Sequence, residues 1–419
     1  MFHERDIPVQ VAIGNYDLGI CGSDWLEELM VKYPSSALVK VKGLSFAKSA
    51  LYVAASLAGG SATVEAVRSK SGVVRIASEY PNLAGQFAIN RRLRRFSVFP
   101  LWGAAEAYPP ESADLALVCA TREGLAGCGL APVARVLNVS ACLIANRASW
   151  QAKDMKEIVA SIYDKTEVRE EEPEIARAPQ RTVQANLFPD GGDTVRLALP
   201  DGHQQLPTLE LLSKAGIGIS DYPSSAGNRR PAADLAGLAI KVIRPQDMPL
   251  QVASGNFDLA ITGRDWLREH LYQFPTSPVK ELVDLRSGRV KIVAVVSQDM
   301  PAADAADLRR LSAGRTAPLR VASEYVNIAD KYARDNHLSL YRVVPTWGAT
   351  EAFLPEDADL LIENTETGRT IARHNLKIID TLFESTACLI GGTRRVTNAV
   401  RRERIDAIVR ALQTGVKLN

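Results

Sequence analysis

The 419-residue sequence predicts an α/β protein built from two tandem copies of one domain. Two observations carry that reading. Short runs of β-branched and aliphatic residues, such as VKIVAVV, LRVAS, YRVVP and DLLIE, alternate with helix-like stretches, as in mostly parallel sheets. The chain also repeats itself. GNYDLGICGSDWL, from Gly14, and GNFDLAITGRDWL, from Gly255, share nine of thirteen residues at an offset of 241. RIASEYPNL and RVASEYVNI, WGAAEA and WGATEA, and the two ACLI runs follow at offsets of 245 and 246. So long a period is a duplicated domain, not a solenoid.

The elements follow in chain order. Residues 1–165 form the first copy, which begins abruptly at Glu4-Arg5-Asp6-Ile7-Pro8, the counterpart of Pro245-Gln246-Asp247-Met248-Pro249. Residues 166–193 are charged, carry Pro173, Pro179 and Pro189, and read as a linker. Residues 194–419 form the second copy. Its opening stretch, Asp193 to Ile219, predicts a buried strand, a turn and an amphipathic helix. About 50 residues of this kind have no counterpart in the first copy. Such a half-domain would expose a sheet edge, so either an upstream extension or coverage by the Thr182–Phe188 stretch or a second chain is expected. Each copy is expected to have two lobes, with the chain crossing near Arg289–Val296 and returning near Glu384–Ile390. A basic helix is expected around Val396–Gln413, with no regulatory domain beyond it.

Composition excludes several classes. With 50 Lys and Arg against 48 Asp and Glu, the net charge of +2 argues against a strongly basic nucleic-acid binder. No apolar run reaches the ~18 residues of a membrane span. The N-terminus is charged where a signal peptide is apolar, and the chain reads as cytoplasmic. Five cysteines without CxxC spacing, and histidines without HxxxH or HExxH, indicate neither a disulfide framework nor a metal centre. Cys142 and Cys388 read as small buried residues.

Ligands of open α/β sheets bind beyond the carboxyl ends of strands, so those loops carry the chemistry. After Asp359–Ile362 comes Glu363-Asn364-Thr365-Glu366-Thr367-Gly368-Arg369-Thr370, then a helix start. Free N–H groups there suit an anion, Thr367 and Thr370 add hydroxyls, and Gly368 permits a positive φ. Glu363 could accept from sugar hydroxyls. These residues read either as a sugar-phosphate cradle or as a plain capped turn. Ile261-Thr262-Gly263-Arg264-Asp265 is the second such loop. Arg264 could hold phosphate, or Thr262 or Asp265 could simply cap a helix.

The second copy resembles the ATP phosphoribosyltransferase family. LALPDGHQQ, RPQDMP, FDLAITGRDWL, RVASEYVNIADKYA, WGATEAFLPEDADLLIENTETGRTI and ESTACLI run in family order from Thr194 to about Ile390. The resemblance implies a two-lobed fold like type II periplasmic binding proteins, with the site in the cleft. It implies phosphoribosyl transfer from phosphoribosyl diphosphate to N1 of ATP with Mg²⁺, the first step of histidine biosynthesis. It places phosphoribosyl diphosphate at Glu363, Thr365, Glu366, Thr367, Gly368, Arg369 and Thr370. ATP would lie at Thr262, Gly263, Arg264, Asp265, Glu324, Tyr325 and Glu351, with Glu363 and Arg264 serving catalysis. It also implies a homo-oligomer or a regulatory subunit. The family's Lys-Gly-Arg is Asp201-Gly202-His203 here, and Arg229, Arg230 and Arg244 are candidate replacements for the lost cations. The family's usual loop Asp is Glu363. In the first copy Val118 stands for Glu363, Cys21 for Thr262 and Ser23 for Arg264, so that copy reads as a non-catalytic partner. Its Arg91–Arg95 run reads as a phosphate patch or a solvated helix end. The alternative function is an inactive paralogue that binds a nucleotide or histidine and regulates.

Overall fold

A computed structural model describes residues 2–34, 37–44, 46–59, 63–166 and 192–417. The chain divides into two units, one spanning Glu4–Ala185 and the other Asn186–Asn419 together with Met1–His3. Most of the expected linker, residues 167–191, lies outside the described residues, as does the Thr182–Phe188 stretch.

The second unit is built on two five-stranded sheets. The first has the order Leu238–Ile243, Val195–Pro200, Leu259–Gly263, Ala387–Gly392, Val279–Asp284. The first three strands run parallel, and Ala387–Gly392 is antiparallel to both of its neighbours. Parallel strands are covered on both faces and so need continuous apolar runs. Val195, Leu197, Ala198 and Leu199 are accordingly 0% exposed. The opening stretch is the expected strand, turn and helix, Val195–Pro200 and then Gln205–Lys214. Leu211 and Leu212 of that helix pack with Ile408 and Leu412 of Ala399–Lys417 against Leu197, Ile261 and Leu389. Each such burial stabilises by roughly 1.5–3 kcal/mol before chain entropy. The C-terminal basic helix thus has an apolar face that closes the first sheet. Arg401 on it pairs with Asp258 at 2.5 Å.

The second sheet has the order Tyr341–Pro345, Leu319–Ser323, Leu360–Thr365, Val290–Ser297, Leu376–Ser385. Ile292 to Val296 are 0% exposed, as a central strand demands. The chain enters this lobe at Val290 and leaves it between Ser385 and Ala387, where the sequence placed the crossings. One sheet per lobe and two crossings make the unit a two-lobed, type II periplasmic-binding-protein-like domain.

The first unit repeats part of this plan. Its larger sheet, Phe96–Pro100, Val74–Ser78, Leu115–Ala120, Ser49–Ser56, Leu130–Val139, has the same strand order as its counterpart. Its other sheet has three strands, Leu18–Gly22, Ala141–Asn146 and Leu38–Gly43. Among the described residues this sheet has no counterparts of Val195–Pro200 and Leu238–Ile243. Among the described residues nothing pairs with the outer edge of Leu18–Gly22. Ile20 there is 42% exposed, whereas its counterpart Ile261 is 0% exposed. In the Arg91–Arg95 run, which follows the helix Pro81–Asn90, Leu93 is buried and the four arginines are exposed.

Candidate active site

The 363–370 turn sits at the carboxyl end of the strand Leu360–Thr365. Leu360, Leu361 and Ile362 anchor it in the core, and from Glu363 onward the chain emerges. Thr365 Oγ1 accepts the Gly368 N–H at 2.9 Å, which folds the turn back on itself. Gly368 has φ 73°, a backbone state that favours glycine. A Cβ there would lie 3.8 Å from Ile378 Cδ1, so the glycine serves the backbone conformation and not local space. The helix that follows, Arg369–Arg373, is five residues long. Its macrodipole is therefore small, and the donors it offers are the first-turn N–H groups, which lack intrahelical acceptors. Glu366, Thr367, Arg369 and Thr370 are exposed around them.

Three carboxylates gather beside this turn. Burial pushes Glu363 up to about 8, with further contributions from Glu351 and Glu324. Glu324 is pushed up to about 7 by burial and by Glu351. Near neutral pH the cluster therefore holds protons that isolated glutamates would not.

The second loop behaves differently from the sequence expectation. Thr262 is 0% exposed, and its hydroxyl donates to the Pro245 carbonyl at 2.8 Å. It fixes the Arg244–Pro245 turn against the strand, so this hydroxyl is turned into the protein. Asp265 and Tyr325 are 5% and 2% exposed. The Tyr325 hydroxyl donates to Asp265 Oδ2 at 2.7 Å, and Ser385 Oγ donates to Asp265 Oδ1 at 2.7 Å. Both side chains, expected at the nucleotide, are buried and bonded to one another and to Ser385. Neither Thr262 nor Asp265 caps the helix Arg264–Gln273, whose N-cap is Gly263 without a side-chain bond. A Cβ on Gly263 would clash with Asp265 Oδ1, which is held by Ser385. Arg264 is held in a fork by Glu281, at 2.8 and 2.7 Å, and reaches Asp284 at 3.1 Å. The hydrogen bonds it donates to Glu281 hold the pKa of its guanidinium above the usual range.

The structure brings two of the three candidate replacement cations together. Arg229 Nη1 lies 3.0 Å and Arg244 Nε 3.4 Å from Asp201 Oδ2. Asp201 is nearly buried at the end of Val195–Pro200, so it draws both arginines to that strand end. Arg230 is 8% exposed and lies deeper.

Sequence reasoning missed Asn364, Glu269 and Ser385. Glu269 accepts from the N–H groups of Asn327 and Ile328 at 2.8 and 2.9 Å, capping the helix Val326–Asp335 across the two lobes of this unit. Its repeat in the first unit was a readable signal: Glu28 does the same for Asn82 and Leu83.

The family described as ATP phosphoribosyltransferase has a sequence model that matches residues 3–165 and 244–414. An ATP phosphoribosyltransferase of Geotalea daltonii is 34% identical over 227 residues, covering 54% of this chain and 73% of that protein. One of Chlorobaculum parvum is 33% identical over 232 residues, with 54% and 73% covered. Among solved structures, an ATP phosphoribosyl transferase (HisG:HisZ) complex from Thermotoga maritima aligns with a TM-score of 0.44 and 21% identity, over 54% of this chain and all of that one. With both copies matched by the family, the chain belongs to the ATP phosphoribosyltransferase family, a family of pentosyltransferases, in tandem-duplicated form.

Proposed function

We propose that the second copy transfers phosphoribosyl from phosphoribosyl diphosphate to N1 of ATP, the first step of histidine biosynthesis, and that the first copy is a non-catalytic partner. The observation that carries this reading is the Glu363–Thr370 turn, with its positive-φ glycine and open first-turn N–H groups. No covalent protein nucleophile is needed. N1 forms a bond to C1 while the C1–O bond breaks and diphosphate leaves, so the protein's tasks are alignment and charge stabilisation. The turn's N–H groups and the hydroxyls of Thr367 and Thr370 would hold phosphate oxygens, while Glu363 would bind ribose hydroxyls. Glu351 and Glu324 border the same space. Arg229 and Arg244 would meet the nucleotide's phosphates at the other lobe. Arg264 can join them by trading part of its fork to Glu281.

Among the described residues no group of three or more His, Cys, Asp or Glu is arranged to hold a metal ion. Mg²⁺ brought with the diphosphate would supply charge neutralisation for the leaving group. By likeness to the Thermotoga complex, the chain would assemble with a second subunit or with copies of itself. No helix among the described residues is long and apolar enough to cross a membrane.

The test is an absorbance assay for phosphoribosyl-ATP from ATP, phosphoribosyl diphosphate and Mg²⁺. Asp201 favours a second reading, an inactive nucleotide- or histidine-binding regulator, because its carboxylate occupies both arginines. Tight binding of phosphoribosyl diphosphate or histidine without product would select that reading.

A further inference from the structure

A chain of hydrogen bonds runs through the second unit from the 363–370 turn to the Arg264 loop. Asn364 Nδ2 donates to the Tyr325 hydroxyl at 2.9 Å. Tyr325 Oη donates to Asp265 Oδ2 at 2.7 Å. Ser385 Oγ donates to Asp265 Oδ1 at 2.7 Å, and the Asp265 N–H returns to Ser385 Oγ at 2.9 Å. Bond directions are fixed by chemistry. The phenol has one proton and gives it to Asp265, so towards Asn364 it can only accept. Tyr325 is locked further by stacking on Trp266, with ring centroids 4.4 Å apart. Asn364 lies between Glu363 and Thr365 on the turn's entry strand, and Asp265 directly follows Arg264.

The first unit is a natural control. It keeps the middle of the chain: Tyr80 bonds Asp24 at 2.7 Å and stacks on Trp25 at 4.2 Å. It has lost both ends. Cys119 stands for Asn364 and Val139 for Ser385. Asp24 Oδ1 is consequently buried without a hydrogen-bond partner. That unit also lacks Glu363 and Arg264. The ends of the chain and the ligand-facing groups are thus present together in one copy and absent together in the other, whereas the Tyr–Asp bond that both copies keep suffices for the fold.

We propose that Asn364 is a positioning residue which, through Tyr325 and Asp265, couples the phosphoribosyl diphosphate turn to the nucleotide loop, so that each ligand tightens the other. The inference rests on the proposed function. A ligand drawing the turn inward pulls Asn364, and the buried phenol passes that displacement to the helix start beside Arg264. A rigid two-ended link of this kind gives a reciprocal binding effect.

The experiment titrates the full chain calorimetrically with phosphoribosyl diphosphate and Mg²⁺, with and without 1-deaza-ATP, which lacks the nucleophilic nitrogen. Wild type should show mutual tightening of about fivefold or more. Asn364→Leu should reduce it to less than about twofold, with 1-deaza-ATP affinity alone and melting temperature little changed. Tyr325→Phe should abolish the same effect, and the double variant should lose no more than Tyr325→Phe does, as expected for members of one chain. Tyr80→Phe should leave it intact. Undiminished coupling in Asn364→Leu, loss of coupling in Tyr80→Phe, or uncoupled binding by wild type would overturn the relay while leaving the proposed function standing. A wild type that binds neither ligand would overturn both.

Discussion

At the scale of single residues, the turn is decided by one glycine and two hydroxyl groups. Gly368 sits at φ 73°, so Gly368→Val strains the backbone even though space for a side chain exists. That variant, or Thr367→Ala, should lower kcat/KM by roughly tenfold or more, chiefly through weaker phosphoribosyl diphosphate binding, since each loses a phosphate contact or its geometry. Steady-state kinetics with that substrate varied would check this, and unchanged values in both variants would remove the turn from the site. Glu363 and Glu324 make a second prediction. Their folded-state pKa values, about 8 and about 7, lie above the value of about 4.5 for a free glutamate. Between those limits the folded state holds protons the unfolded chain has released. Stability should therefore be highest near pH 5, fall as pH rises, and level off above about 8. Glu363→Gln should flatten that slope in denaturant titrations run across the range, and an unaltered slope would show that Glu363 does not titrate there.

At the scale of elements, the lobes of the second unit are joined by helix starts. The Glu269 carboxylate satisfies the first N–H groups of Val326–Asp335, and burial pushes its own pKa up despite those bonds. Glu269→Ala would leave those donors unpaired at a cost of about 1–3 kcal/mol, measurable as a lowered urea midpoint. Glu28→Ala should cost a similar amount in the first unit. If only one of the two destabilises, the duplicated caps are not equivalent. Gly263 is set by its neighbour, because a Cβ there would push the Asp265 carboxylate off Ser385. Gly263→Ala should therefore impair activity more than stability, and a variant with wild-type kinetics would deny Asp265 its supporting role.

At the scale of the whole molecule, the duplication lets the two copies be tested separately. The second unit's cores are drawn almost wholly from its own residues, so Asp193–Asn419 alone should unfold cooperatively and bind phosphoribosyl diphosphate. Arg264→Ala in the full chain should reduce turnover, while Ser23→Ala and Arg122→Ala should not. Equal losses from both copies would indicate a composite site. The first unit's edge strand exposes Ile20, and unpaired edges with apolar side chains promote association. Ile20→Thr should lower light scattering at high concentration without altering kinetics.

The sequence by itself determined the duplication, the α/β class, the lobe crossings and the position of the 363–370 turn. These are written in local features: repeated words, runs of β-branched residues, and a Thr-Gly-x-Thr turn at a strand end. It also showed which stretch of the second copy has no counterpart in residues 1–165, because one copy could be laid against the other. The direction of side chains was decided by the tertiary structure alone. Thr262, Asp265 and Tyr325 are polar residues at strand ends, and in sequence they look like ligand contacts. Packing of two lobes turns them inward, where buried polar groups must find partners, and they find each other, Ser385 and Pro245. Asn364 and Glu269 went unnoticed for the same reason. Their partners lie 39 and 58 residues away in the chain, and only folding makes them neighbours.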